Sequence, residues 1–221
     1  MDKVIKVAML TGYHPYEVTG FQDMLSSLTE LKIYPQNIED FVLDTPENQS
    51  SYSVIAFYNF HQEIPKRPKN YLAELTQTIM PKLQNDGKGF VFLHHALTAF
   101  PKSEYWSTFC GLDPERSVGP PDGKTDQLIK VKIKDNAHPI TVSMPDWEIT
   151  DEIYIWDDAA QECNILLETN HPESMGTLAW TKNQGNSRVF SFQLGHDPLA
   201  YGNKNFQIVL SRGIKWVCHA I

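Results

Sequence analysis

The chain has 221 residues, 41% hydrophobic and 11% aromatic, enough apolar material to bury a sizeable core and to exclude a disordered polymer. Lys and Arg number 19 against 27 Asp and Glu, a formal net charge of −8 without a polybasic run, so the electrostatic footprint of a nucleic-acid binder is missing. The cysteines, Cys110, Cys163 and Cys218, are odd in number, far apart and without a CxxC, which argues against a disulfide framework or a structural zinc site.

In chain order, Val4–Leu10 reads as a buried strand; its apolar run is too short for a signal-peptide core, so no targeting segment is expected. Thr11-Gly12-Tyr13 then leads to His14. Thr19 predicts the N-cap of a helix whose inner face is Phe21, Met24, Leu25 and Leu28. Val54–Tyr58 predicts a second strand, followed by Asn59, Phe60 and His61. Leu72, Leu75, Ile79 and Leu83 trace a helix that Pro81 should kink and Asn85-Asp86-Gly87 should stop. Phe90–Leu93 is apolar throughout and ends abruptly in His94-His95.

Further on, SVGPPDGKTD (117–126) predicts a loop. Leu128–Ile133 alternates with Lys130, Lys132 and Lys134, which predicts an edge strand with one wet face. Ile165–Leu167, Leu178–Trp180 and Val189–Leu194 read as further strands. Phe206, Val209, Leu210, Ile214 and Val217 line a last helix. Near-continuous apolar strands alternating with helices predict an α/β fold, a mostly parallel sheet with helices on both faces. No domain boundary, internal repeat or membrane-length apolar stretch interrupts residues 1–221, so one cytoplasmic domain is expected.

The histidines fall at telling places in this plan. All carboxyl ends of a parallel sheet lie on one edge, and open α/β sheets bind ligands in the crevice outside that edge. His14, His61, His94 with His95, and His196 each follow a predicted strand, so they are expected to converge although far apart in sequence. His94 and His196 leave the most apolar runs and are the best candidates for chemistry. His61 reads as well as a surface group, His14 as a loop builder, and His95 as turned toward the following helix. Asp151 and Glu152 stand between apolar neighbours. If extended, one carboxylate enters the cleft as acid, base or orienting group and the other is solvated; an acidic pair at a helix start is the plainer alternative. Gly195 permits a tight turn before His196-Asp197, two neighbours able to share a proton or a ligand. There is no GxSxG or Cys elbow, no P-loop, no GxGxxG, and no HExxH or HxH spacing. No cofactor and no metal are therefore assigned, although strand-end His and Asp/Glu ligands need not be close in sequence.

A set of pieces in fixed order resembles the ThuA-like (trehalose-utilisation) family. They are GKGFVFLHHAL (87–97), AHPIT (137–141), DEIY (151–154), LLETNHPES (166–174), LAWTK (178–182), SRVFSFQLGHDPLAYGNKNF (187–206) and IKWV (214–217). The resemblance implies a three-layer α/β/α sandwich of the class I glutamine amidotransferase-like (flavodoxin-like) type. It implies that His94 stands where amidotransferases carry their nucleophilic Cys, so thioester chemistry is replaced by imidazole acid–base chemistry. It further implies that His94, His196 and the pair Asp151-Glu152 face one pocket as catalytic groups, and that the ligand is a carbohydrate, trehalose or a related disaccharide handled as a 3-keto sugar. His95 departs from the small residue usual in the family. Substrate contacts are expected from His14, Asn59, His61, His95, Trp106, Tyr154 and Asp197. Tyr13, Trp106, Tyr154 and Tyr201 are candidate flat surfaces for a sugar ring, with core packing the simpler account of each. A non-catalytic sugar-binding module and a metal-dependent hydrolase are the alternatives. The expected partner is a small carbohydrate, not a nucleic acid or a membrane, and a homodimer is compatible with such a sheet.

Overall fold

A computed structural model describes residues 4–64, 66, 70–117 and 123–221. In β1 (Ile5–Gly12) the run Val7–Leu10 is wholly buried. Its parallel neighbours are β2 (Leu31–Asn37) and β3 (Val54–Asn59). β3 pairs in parallel with β4 (Gly89–Leu93), and β4 with β9 (Ser187–Phe192). Beyond β9 the direction alternates through β8 (Thr177–Gln184), β7 (Asn164–Glu168), β5 (Lys124–Ile133) and β6 (Trp147–Ile153). The order across the sheet is β2-β1-β3-β4-β9-β8-β7-β5-β6.

Both faces of the sheet are covered, which explains the unbroken apolar runs. Val7, Met9 and Val91 meet Phe21 and Met24 of α1 (Val18–Ser27) and Val209 and Leu210 of α8 (Lys204–Val217). On the opposite face Ala8, Leu10, Phe90 and Phe92 meet Ile38 and Phe41 of α2 (Ile38–Leu43), Leu75 of a π-helical turn (Glu74–Ile79), and Trp106 and Phe109 of α6 (Glu104–Cys110). α3 (Pro46–Ser51), α4 (Tyr71–Ala73), α5 (Met80–Asn85) and α7 (Pro198–Tyr201) complete the helices. No described helix is long and apolar enough to cross a membrane.

Several local expectations need correction. Glu17, not Thr19, caps α1: its carboxylate accepts from the amides of Thr19 and Gly20. The Pro81 helix is divided rather than simply kinked. Proline has no N–H to close a regular turn, and the turn before it widens into the π segment. β5 is not at an edge, because β6 pairs outside it; its lysine-bearing face is nonetheless wet, with Lys130 and Lys132 exposed opposite buried Ile129 and Val131. Of the expected loop 117–126, residues 124–126 belong to β5 and 118–122 lie outside the described residues.

Candidate active site

The strands that precede the singled-out histidines, β1, β3, β4 and β9, are adjacent and parallel. Their carboxyl ends therefore share one stretch of sheet edge. At the end of β4 the chain turns sharply into a short 3-10 helix (His94–Thr98), and His94 takes a φ of +52°, in the left-handed region that costs a side-chain-bearing residue about 1 kcal/mol or more. This strand–turn–helix projects the His94 ring across the end of β9. At the end of β9, Gly195 has a φ of +120°, and a Cβ there would stand 3.1 Å from the Phe206 ring. Glycine is needed at that turn, and the turn presents His196.

His94 is fully buried and its ring is fixed at both nitrogens. Nδ1 donates to the Gln193 carbonyl at 2.6 Å, while Nε2 lies 2.9 Å from Glu152 Oε2, 3.3 Å from His196 Nδ1 and 3.3 Å from the Tyr154 hydroxyl. His196 Nδ1 is also 2.9 Å from Glu152 Oε2, and its side chain retains 24% exposure, against 4% for Glu152. His95 Nε2 is 3.7 Å from the same carboxylate oxygen. The His14 ring lies against His95, centroids 3.6 Å apart, and 6.2 Å from His196.

Burial alone would raise the Glu152 carboxyl, but hydrogen bonds from His196 and His94 outweigh it and hold the group far below the usual carboxylate range. His196 is raised, first by its bond to Glu152 and against the opposing effect of burial. His95 is driven well below the ordinary imidazole value by burial and by the surrounding His94, His14 and His196, so it stands neutral. The arrangement thus concentrates one ionised carboxylate among several imidazoles at the mouth of the sheet.

Of the acidic pair, Glu152 reaches the imidazoles. Asp151 is not solvated as expected. It is buried and accepts from the backbone amides of Gly195 at 2.7 Å, His196 at 3.0 Å and Glu152 at 2.8 Å. Burial raises its carboxyl, while His94 and the three amides oppose that rise. Asp151 clamps the turn that carries His196 and meets no imidazole hydrogen bond. Asp197 likewise shares no hydrogen bond with His196. Its side chain caps α7 through the amides of Leu199 and Ala200.

The other singled-out residues divide. His14 and Tyr154 border the cluster. His61 is fully buried, held by Glu39 and by Asn59, stacked on Phe100 and in tilted contact with Tyr13, so it and Asn59 are packing groups of the β3 end. Trp106 is also core: it is fully buried, donates to the Ala96 carbonyl and packs on Phe57, Phe92 and Phe100. Of the candidate sugar platforms only Tyr13 is exposed, at 60%. Tyr201 is buried, with its hydroxyl on Tyr58 and on the His196 carbonyl. Two supports escaped the sequence reading. Gln193 fixes His94 by its carbonyl and holds the Glu152 carbonyl by its side-chain amide; Tyr58 braces the Gly195 carbonyl. A buried polar residue inside the apolar run FSFQLG was the available signal for the first.

A cleft of about 770 Å³, lined by Ile5, Ser53, Lys88 and Lys215 among others, lies at the amino ends of β1 and β4, away from the histidines. It contains no convergent set of imidazoles, so the chemistry rather than the volume marks the candidate site.

A family model named ThuA and described as trehalose utilisation matches residues 13–217. No curated protein matches the chain. Among solved structures, a ThuA-like protein of Bacteroides uniformis has 17% identity and a TM-score of 0.71, over 96% of this chain and 91% of that one. A cytoplasmic protein of Salmonella typhimurium has 14% identity and a TM-score of 0.59, covering 96% and 99%. A glutamine amidotransferase of Thermotoga maritima has 8% identity and a TM-score of 0.61, covering 98% and 99%. Likenesses at these identities show a shared fold, the glutamine amidotransferase-like α/β fold.

Proposed function

The chain belongs to the ThuA family, and on that premise we propose that it is an enzyme of carbohydrate breakdown, acting on trehalose or a related disaccharide in a 3-keto form. One observation carries the reading: His94 Nε2, His196 Nδ1 and Glu152 Oε2 stand within 2.9–3.3 Å of one another at the carboxyl edge of the sheet. Position 94 has the strained turn on which a nucleophile would be displayed, but an imidazole occupies it, so no thioester can form. Imidazoles coupled to a carboxylate serve instead to polarise an oxygen and to move a proton. On a keto-sugar these needs arise at the carbonyl and its neighbouring carbon, or at the glycosidic oxygen, which makes the reaction a hydrolysis, an elimination or an isomerisation. His196, the member of the trio open to solvent, meets the substrate. Glu152 steadies positive charge on it, and His94 fixes the carboxylate from behind. Exposed Tyr13 and neighbouring His14 supply a rim for the ring. A cytoplasmic location is proposed from the name of the Salmonella relative alone.

The test is a mass-spectrometric screen of trehalose, related disaccharides and their 3-keto derivatives with the wild type, His94→Ala and His196→Ala. The wild type should consume at least one keto-disaccharide, and each variant should be slower by about 100-fold or more. Full turnover by both variants contradicts the assignment, as does a sugar that binds the wild type and is recovered unchanged.

A further inference from the structure

At the centre of the cluster, neutral His94 sets a lone pair against an accepting oxygen. His94 Nδ1 faces the Gln193 carbonyl and so carries a hydrogen. In the neutral ring, Nε2 then turns a lone pair toward Glu152 Oε2, 2.9 Å away, an oxygen that can only accept. His196 Nδ1 approaches that oxygen at 2.9 Å, and His95 Nε2 points to it from 3.7 Å. His95 Nδ1 is buried with no hydrogen-bond partner among the described residues, so ring packing against His14, Tyr58 and Phe60 orients that imidazole. The Tyr154 hydroxyl, 3.3 Å from His94 Nε2, brings a single hydrogen. A proton on His94 Nε2 relieves its contact with Glu152; so does a cation at the centre, which the Glu152 oxygen and the three imidazole nitrogens can all meet.

The geometry points to a divalent transition-metal ion of the zinc class, bound by His94 Nε2, His196 Nδ1, Glu152 Oε2 and His95 Nε2. These four atoms lie within 4.8 Å of one another. Ligand atoms about a tetrahedral zinc stand roughly 3.3 Å apart, inside the spread of separations seen here. The outer contacts suit ligands as well. His94 gives its other N–H to a backbone carbonyl, and the second Glu152 oxygen accepts from the Gly123 amide at 2.6 Å. Three imidazoles and one carboxylate favour zinc, cobalt or nickel over magnesium or calcium, which prefer all-oxygen sites. The sequence offered no metal spacing because the donors come from the ends of β4, β6 and β9, which only the fold brings together. The inference rests on the reading of this cluster as the reacting centre, and it adds a Lewis acid there. His94, His95, His196 and Glu152 would hold the ion, and a sugar oxygen arriving beside partly exposed His196 would make a fifth ligand, where the ion would supply Lewis-acid polarisation.

The test begins with tag-free protein purified without chelator. Its metal content is measured by elemental mass spectrometry; the protein is then stripped with EDTA and titrated with ZnCl2 by calorimetry. About one ion per chain is expected, as purified or after titration, and a Co2+-loaded form should show visible d–d absorption of a low-coordinate site. His94→Ala and Glu152→Gln should weaken zinc binding by more than about 100-fold while circular dichroism reports an intact fold. Should either variant fail to fold, the wild-type titration decides. Less than about a tenth of an ion per chain with no uptake of ZnCl2 overturns the inference. The two readings fail separately: sugar turnover untouched by EDTA removes the ion and leaves the proposed function, whereas a bound ion with no sugar consumed does the reverse.

Discussion

Asp151 receives three backbone amide hydrogens in a buried setting, so its charge is spent on shape. Asp151→Asn would replace one accepting oxygen by a donor facing amides that also donate. The expected cost is about 2–4 kcal/mol in urea unfolding, because a buried charge-assisted network is broken at one member. Its effect on the site should be indirect, with His196 displaced and zinc affinity reduced while the ligand set is intact. Unchanged stability would show that the clamp carries no weight. Which of the two neighbouring acids met the imidazoles could not be read from the sequence. Alternation in a strand predicts opposite directions, but it assigns neither side to the cleft, and here both sides of β6 are buried at that point. His94 and His196 were legible because each ends an apolar run. His61 misled for the same reason, since a strand end delivers packing groups as readily as members of the cluster; Trp106 misled because an aromatic fills a core as readily as it faces a sugar.

The element that fixes β4 and β9 is α8. At Gly213 a Cβ would lie 2.2 Å from the Phe190 ring, and at Gly89 a Cβ would lie 2.6 Å from Val217. Helix and strands thus touch at near-backbone distance, and this closeness seats β4 and β9, the strands that lead to His94 and His196, against α8. Gly213→Ala should cost about 1–3 kcal/mol by overpacking, seen as a lower melting temperature. A melting temperature equal to that of the wild type would mean that the helix slides freely on the sheet. The parallel half of the sheet was legible because strands covered on both faces are apolar at nearly every position. β2 and β6 were not. β2 is an edge strand with the buried pattern broken by Lys32, Pro35 and Gln36, and β6 alternates polar and apolar residues so that its acidic pair mimics a helix start.

At the scale of the molecule, the mixed sheet divides the labour. Four adjacent parallel strands bring their carboxyl ends to one edge, and the antiparallel extension folds β6 back so that Glu152 meets His94 and His196. The parallel reading foresaw the first part. The second came from the alternation at Asp151-Glu152 and from the family resemblance, because a pairing between chain segments 58 residues apart leaves no local pattern. The same edge carries the left-handed turns at Tyr13 and His94 and the Gly195 turn. The opposite edge carries the cleft near Lys88 and Lys215. A crystal structure of the protein with a bound keto-disaccharide decides between them. The account predicts electron density for the sugar at the carboxyl edge, with an oxygen directed at the group formed by His196, Glu152 and His94. Density for the sugar in the cleft at the amino ends, with the histidine cluster untouched, would contradict it.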